Sequence, residues 1–551
     1  MYDLKSVHLP KVSGIPLRLL RWLLEWAPTR SLLAPGLLKN AGVSAYRQQP
    51  DTSDATAEPA VLPAWPSAPP SEPHAVALVS RQHAEQWRSA QQLHDAYVSG
   101  THTPESVAEA LIAARNTADF HQLNAFIAYD DAALRRDAAA SHARYRAGAP
   151  RGILDGVPVS VKDEFAVAGY VSGDGTSFLG QAPASADATS VARLRAAGAL
   201  IVGKGQMHEI GLGVVGTSRA HGPARNPFAP AHTAGGSSGG GAAAVASGLA
   251  VVALGADGGG SIRVPASFCG MVGLKGTYGR ISSHGTAGVV WSMSNPGPIA
   301  PTPADVAAAY MVMAGTDPHD PRTAHQPTPM AADLARRDLR GVSIGYMPAW
   351  FEHADSEIVA QCRTMLHYYR AAGADIREIA VAGLEAARVA HTIIITCEML
   401  TALEQELAQF GHLLADETRL SLAISREFTA ADVRHAQQTR TTFTQTLRDV
   451  FAKVDLIATP TTGLNAPLIT PAHIPHGMSD LSSTFEIMRF AFAANLSGVP
   501  SISIPAGFSK SGMPIGFQLM ARPWQEALLI EAAQVAEQWR TMLPPQVLFR
   551  W

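Results

Sequence analysis

Residues 234–270 read AGGSSGGGAAAVASGLAVVALGADGGGSIRVPASFCG, two glycine-wrapped serine sites on either side of one apolar run. Small neighbours let a substrate carbonyl approach the backbone, so a serine between glycines is a candidate nucleophile. The stretch holds no histidine, and a base for either serine must come from elsewhere in the chain. VVALGAD reads as a strand ending where the second serine loop begins. The fold must therefore join a glycine-rich segment, a strand and a second glycine-rich loop in one place.

The rest of the chain supplies alternating strands and helices. GVPVSVKDEF reads as a short strand through Val161, and VARLRAAGALIVGK as a helix, a stop at Gly198 and a strand. VSIGYMP, ADIREIA and VDLIATPTT are further strands, with helices such as SEIVAQCRTMLHYYRAAG between them. A helix is expected to start at Thr103, before Pro104 and Glu105. PSISIPAGF and PIGFQLMAR flank SKSGM and predict one antiparallel hairpin. This pattern predicts an α/β fold, a large mixed sheet covered by helices on both faces.

The N-terminal segment differs. In IPLRLLRWLLEWAP, Arg18, Arg21 and Glu25 form one narrow polar stripe on a helix, and leucines and two tryptophans cover the remainder. Two covers for that apolar face stay open. It packs on the body of the chain or on a homodimer partner, or residues 15–27 lie in a membrane interface or cap an apolar substrate entrance. The following Pro/Ala/Ser-rich stretch, residues 48–73, reads as a linker and sets a boundary near residue 75. The expected division is an extension over 1–74 and a main domain over 75–551. No uncharged apolar run reaches 18 residues, so no membrane span is expected, and the charges in the first apolar run are unlike a secretory leader.

Composition narrows the function. Hydrophobic residues are 47% and charged residues 16% of 551, which fits a folded chain. The net charge of −3 gives no electrostatic footprint for nucleic acid. Cys269, Cys362 and Cys397 are too few and too scattered for a disulfide framework or metal cluster, which suits a cytoplasmic location. GLGVVG, residues 211–216, matches a dinucleotide fingerprint but lacks the strand before it and the helix after it. GSSGG, residues 236–240, matches a nucleophile elbow around Ser238, yet NPFAPAHTAG before it is not a strand. The 20 histidines include no zinc-site spacing. Neither a metal nor a cofactor is expected.

The remaining constellation is more specific. GGSSGGGAAAVASG, then GADGGGSIRVPASFCGMVGLKGTYGR, with GVPVSVKDEF upstream, resembles the amidase signature family of serine hydrolases. Lys162 lies 75 residues before Ser237, and Ser261 lies 24 after it. RNPFAP, VDLIATPTT, NLSGVPSISIPAG and GMPIGFQLMARPWQEALLIEAA extend the likeness over residues 75–545. The resemblance implies that Ser261 is the nucleophile, with the N–H groups of Gly258, Gly259, Gly260 and Ser261 as an oxyanion hole. It implies that Ser237, on a cis peptide bond, relays the proton to Lys162, whose burial among VPVSV would favour the free amine that acts as base. Ser238, Asp257 and Arg263 are expected to support the loops. A Ser–His alternative would use His208. Two positions depart from the family pattern: Gly258, where an apolar residue is usual, and Gly276, where proline is common.

The first 45 residues, KVSGIPLRLLRWLLEWAPTRSLLAPGLLKN in particular, are similar to the N-terminal extension of plant-type fatty acid amide hydrolases, which implies a small-molecule acyl amide with a long apolar chain. STFEIMRFAFAANLSG offers apolar side chains for such a pocket, and Met207, Phe485 and Met488 are its candidates. Competing readings are the amidase subunit of a tRNA-dependent amidotransferase and a non-catalytic binding protein on an amidase fold.

Overall fold

The glycine–alanine run becomes helix Gly239–Ala246 and strand Val252–Asp257, and both are buried along their whole length. The glycines are a packing requirement. A Cβ on Gly240 would lie 2.3 Å from the Ala125 carbonyl oxygen and 2.4 Å from the Gln206 nitrogen. A Cβ on Gly255 would lie 2.9 Å from Ser238 Oγ, and one on Gly241 would reach the Ala253 methyl at 3.0 Å. The helix therefore sits directly on the sheet, closer than side chains would allow.

The computed structural model describes residues 2–49, 88–471, 474 and 477–551. Most of the expected linker, residues 50–73, and the boundary near residue 75 lie outside the described residues. The main element is an eleven-stranded mixed sheet. Its order is Asp375–Glu378, Ser343–Tyr346, Leu456–Pro460, Pro514–Ala521, Ser501–Phe508, Val272–Lys275, Asn295–Ala300, Val252–Asp257, Pro158–Lys162, Leu200–Gly205 and Phe126–Ala128. Strands such as Pro158–Lys162, Val252–Asp257, Leu456–Pro460 and Pro514–Ala521 are buried at every residue, as expected of a sheet covered by helices on both faces.

The expected hairpin forms, with Phe508 opposite Pro514. The helix predicted from Thr103 also forms, and the Thr103 hydroxyl accepts from the Ser106 N–H. Antiparallel pairing is more extensive than expected: Asn295–Ala300 runs antiparallel to both Val252–Asp257 and Val272–Lys275. Its sequence, NPGPIA, carries two prolines that remove ladder donors, so it does not read as a central strand. By contrast, Pro158–Lys162 pairs in parallel with both Val252–Asp257 and Leu200–Gly205. Lys162 and Asp257 thus stand at the same, C-terminal edge of adjacent parallel strands, where α/β sheets place ligands.

The N-terminal segment forms helices Gly14–Glu25, Ala27–Asn40 and Val43–Tyr46 against the body of the protein. Leu17, Leu24 and Ala34 pack with Leu420 and Ala423. Arg21 and Glu25 face inward, Arg21 on Asp416 at 2.6 Å and Glu25 on Arg419 at 2.8 Å. The helix pair is therefore turned so that part of its polar stripe meets charged partners. Ile15, Leu19, Trp22, Trp26 and Leu32 are left outward, with Trp22 55% and Leu32 80% exposed. Among the described residues, no single helix is long and apolar enough to cross a membrane.

Gly240→Ala is expected to destabilise the protein by about 3 kcal/mol or more, because its neighbours are backbone atoms that cannot rotate away. Denaturant unfolding should show a lower midpoint with an unchanged slope.

Candidate active site

Strand Pro158–Lys162 delivers Lys162 to the floor of a cavity of about 1030 Å³ that Ser237 and Ser261 also line. Lys162 is 2% exposed, and its ammonium donates to Ser237 Oγ at 2.8 Å and to the Ala256 carbonyl at 3.3 Å. Its third neighbour is Glu164 Oε2 at 2.8 Å. Ser237 follows a cis peptide bond from Gly236, and its carbonyl accepts the His208 N–H. Ser238 caps the buried glycine helix and ties the two loops together: its N–H donates to the Ser261 carbonyl and its hydroxyl lies 3.4 Å from the Ala256 carbonyl.

The loop carrying Ser261 is organised by Asp257. Its carboxylate accepts the Gly260 N–H at 2.7 Å, the Ile262 N–H at 3.1 Å and Arg263 Nη2 at 2.9 Å. Arg263 continues to Gln518 Oε1 and Asn495 Oδ1, both at 2.6 Å, and Asn495 donates back to the Asp257 carbonyl. Burial pushes the Asp257 carboxyl up, but the Arg263 guanidinium and Lys275 outweigh it and hold Asp257 well below the usual carboxylate range. Gly260 adopts φ +117°, a conformation that favours glycine. Gly259 faces the Met488 methyl and the His391 ring, and His391 Nε2 donates to the Gly258 carbonyl at 2.9 Å.

These placements refine the expectations. The Gly260 N–H, one of the expected oxyanion donors, is committed to the Asp257 carboxylate. Gly258 lines the cavity, where a Cβ would reach Ile395 Cδ1 at an ordinary 3.5 Å. Its missing side chain widens the cavity and is not demanded by the backbone. Phe485 and Met488 line the cavity. Met207 does not: it is fully buried and its side chain packs over Gly175. His208 lines the cavity, with Nδ1 accepting the Thr217 N–H and Nε2 3.7 Å from Glu417 Oε1. Burial and the Lys162 charge push His208 down to about 3, so the ring is neutral.

Several residues of the site lie outside the sequence-based candidates. Glu164, Asp174 and Glu417 line the cavity, while His391, Asn495 and Gln518 brace the Ser261 loop. Glu164 is two residues after Lys162 in KDEF and was within reach of the motif. The others arrive from distant segments. The cavity's remaining walls are largely apolar, with Leu9, Leu37, Leu38 and Val43 from the N-terminal segment facing Ile395 and Met399.

Comparison with known proteins places the chain in a family. A family model described as Amidase matches residues 107–530. A fatty acid amide hydrolase from Medicago truncatula is 39% identical over 452 residues, covering 80% of this chain and 74% of that protein. A fatty acid amide hydrolase from Oryza sativa subsp. indica is 35% identical over 579 residues, covering 98% of this chain and 94% of that protein. The crystal structure of a bacterial aryl acylamidase superposes with a TM-score of 0.72 at 26% identity, covering 82% of this chain and 96% of that one. The chain belongs to the amidase family, and it is a hydrolase acting on amide bonds.

Asp257→Asn is expected to cost about 3–5 kcal/mol, because it leaves Arg263 charged and buried without its counter-ion. A carboxyl held below its unfolded value contributes stability above about pH 4 and loses it as pH falls. In denaturant titrations across pH, the gap between the wild type and the variant should therefore narrow on acidification.

Proposed function

We propose that this protein hydrolyses N-acyl amides with long apolar acyl chains through Ser261, Ser237 and Lys162. Ser261 Oγ attacks the amide carbonyl carbon. Its proton passes to Ser237 Oγ, and the Ser237 proton passes to the free amine of Lys162. The N–H groups of Gly258, Gly259 and Ser261 receive the oxyanion, where losing one such donor typically costs about 3–4 kcal/mol. Collapse of the tetrahedral species breaks the C–N bond, and the same relay returns the proton to the departing amine. Water then cleaves the acyl ester on Ser261.

The observation that carries this reading is the 2.8 Å contact between Lys162 and Ser237 at the base of a large, mostly apolar cavity that Ser261 shares. At about 1030 Å³ the cavity is at the upper end for small-molecule sites, which favours a long chain over a short one. The relatives named fatty acid amide hydrolase support the same substrate class. Esters and carbamates of similar shape would meet the same nucleophile.

The outward face of residues 15–27 belongs to this proposal. Ile15, Leu19 and Trp22 are exposed on one helix and Trp26 at its end, and the helix after it contributes Leu37 and Leu38 to the cavity wall. A helix pair of this kind suits shallow contact with a lipid surface from which an apolar substrate is drawn. Free thiols at Cys269, Cys362 and Cys397 fit a reducing cytoplasmic setting.

Ser261→Ala should abolish both turnover and covalent labelling by a fluorophosphonate, and Lys162→Ala should lower kcat by at least about 100-fold. Substantial turnover by Lys162→Ala would overturn the mechanism. The purified chain alone should cleave amides, whereas an amidotransferase subunit would need its complex. kcat/KM should rise with acyl-chain length across a series of N-acyl amides. Replacing Leu19, Trp22 and Trp26 with serine should weaken binding to phosphatidylcholine vesicles more than about tenfold, since burying each such side chain contributes about 1.5–3 kcal/mol. A dimer in solution that the same triple variant disrupts would instead assign this face to a second copy of the chain.

A further inference from the structure

Beside the Lys162–Ser237 contact lies a buried group of charges that the mechanism above does not use. Lys162 has three acceptors around its ammonium: Ser237 Oγ, the Ala256 carbonyl and Glu164 Oε2. That arrangement satisfies all three N–H bonds of a charged lysine, whereas a base must first give one proton away. Next to it, Lys204 donates to the Asp163 carbonyl at 3.0 Å and lies 3.6 Å from Asp163 Oδ1, with no exposure to solvent. Two ammonium groups are thus matched by two carboxylates, Glu164 and Asp163.

Asp174 is a third carboxyl in the same place. It is 2% exposed and lines the cavity, its Oδ2 has no hydrogen-bond partner, and it stands on a left-handed backbone position, φ +51°. Its carbonyl is pinned by the Ile210 N–H, and the next residue, Gly175, donates its N–H to Asp163. The remaining titratable neighbours offer no counter-ion. His208 is neutral, and Glu417 faces it across the cavity. Glu209 has its carboxylate occupied by the N–H groups of Arg219 and Ala415 and by the Thr418 hydroxyl. An ionised Asp174 would leave one net negative charge buried without a cation, an expensive state.

We propose that Asp174 holds a proton that keeps this buried group neutral, and that Glu164 takes the proton Lys162 must shed to become a base. The step breaks one N–H bond of the Lys162 ammonium and forms an O–H bond on Glu164 Oε2. It converts an ion pair into two neutral groups, with no oxidant, co-reactant or bulk water needed. Glu164 and Asp174 act through Lys162 and are positioning residues. Burial and the neighbouring Glu164 both push the Asp174 carboxyl upward, in agreement with the charge count.

This inference rests on the proposed role of Lys162, and its tests separate the two. Glu164→Gln keeps the shape but cannot take the proton, so kcat should fall about 100-fold with KM nearly unchanged, and Glu164→Asp should restore part of it. Glu164→Gln turning over at the wild-type rate would overturn the proposal while leaving Ser261 and Lys162 in their roles. The second test needs no substrate. A carboxyl raised in the folded state loses stability as pH climbs above its unfolded value of about 4. Thermal unfolding of Asp174→Asn should therefore gain on the wild type as pH rises, and Asp174→Ser serves for the same comparison if the asparagine variant does not fold. Parallel stability curves for wild type and variant would overturn the assignment of a proton to Asp174.

Discussion

Arg263 and Asp257 form a fully buried ion pair from which much of the site is hung. The carboxylate of Asp257 gathers the amides of Gly260, Ile262 and Arg263, and so curls the chain that presents Ser261. The guanidinium reaches out of the loop to Gln518 and Asn495, on two segments more than two hundred residues further along. A loop of three glycines has little stiffness of its own, since glycine loses more conformational freedom on ordering than any other residue. The ion pair supplies that stiffness, and it does so in a place where no water competes for its hydrogen bonds. The glycine helix completes the arrangement by bringing Ser237 and Ser238 against the same strand edge.

How much of this could be read from the chain itself follows from what each feature depends on. Ser237 and Ser261 stand out because they lie among glycines, and Lys162 because it ends a short apolar run, and short-range sequence records such surroundings directly. The parallel strands and the C-terminal hairpin were legible as apolar runs bounded by glycine, proline or serine. Asn295–Ala300 was not, because two prolines in six residues oppose strand formation locally and only the flanking strands override them. Antiparallel pairing at the centre of the sheet was underestimated for the same reason. Asp174, Glu417, Asn495 and Gln518 act across long separations in sequence, and no local pattern announces a contact of that kind.

The pocket residues illustrate the difference between an apolar side chain and an apolar side chain facing a cavity. Phe485 and Met488 reach the cavity, whereas Ile487, Phe490 and Phe492 of the same segment are buried in packed clusters. Met207 follows a sheet strand close to Ser237, yet it turns into the protein over Gly175. Helical periodicity alone could not sort these residues, since the segment breaks at Arg489 into two short helices. Gly258 shows the opposite case, a position whose meaning lies in what it lacks. Its absent side chain enlarges the cavity that Ser261 also lines, and the backbone there does not demand the absence.

Residues 2–46 form a partition rather than an appendage. Val12 and Ser13 pair as a short strand with Ser479 and Met478, Leu9 shares two hydrogen bonds with Ser482, and Lys11 meets Asp480 at 2.9 Å. The helix bearing Phe485 and Met488 starts at Leu481. One continuous set of contacts therefore links the exposed tryptophans, the cavity wall and the helix that carries Phe485 and Met488. Whatever rests against the outer side of this partition presses on a wall of the cavity. Removing the partition would both open the cavity and take away part of its wall, so the outward apolar face and the shape of the cavity are mechanically one property of this protein.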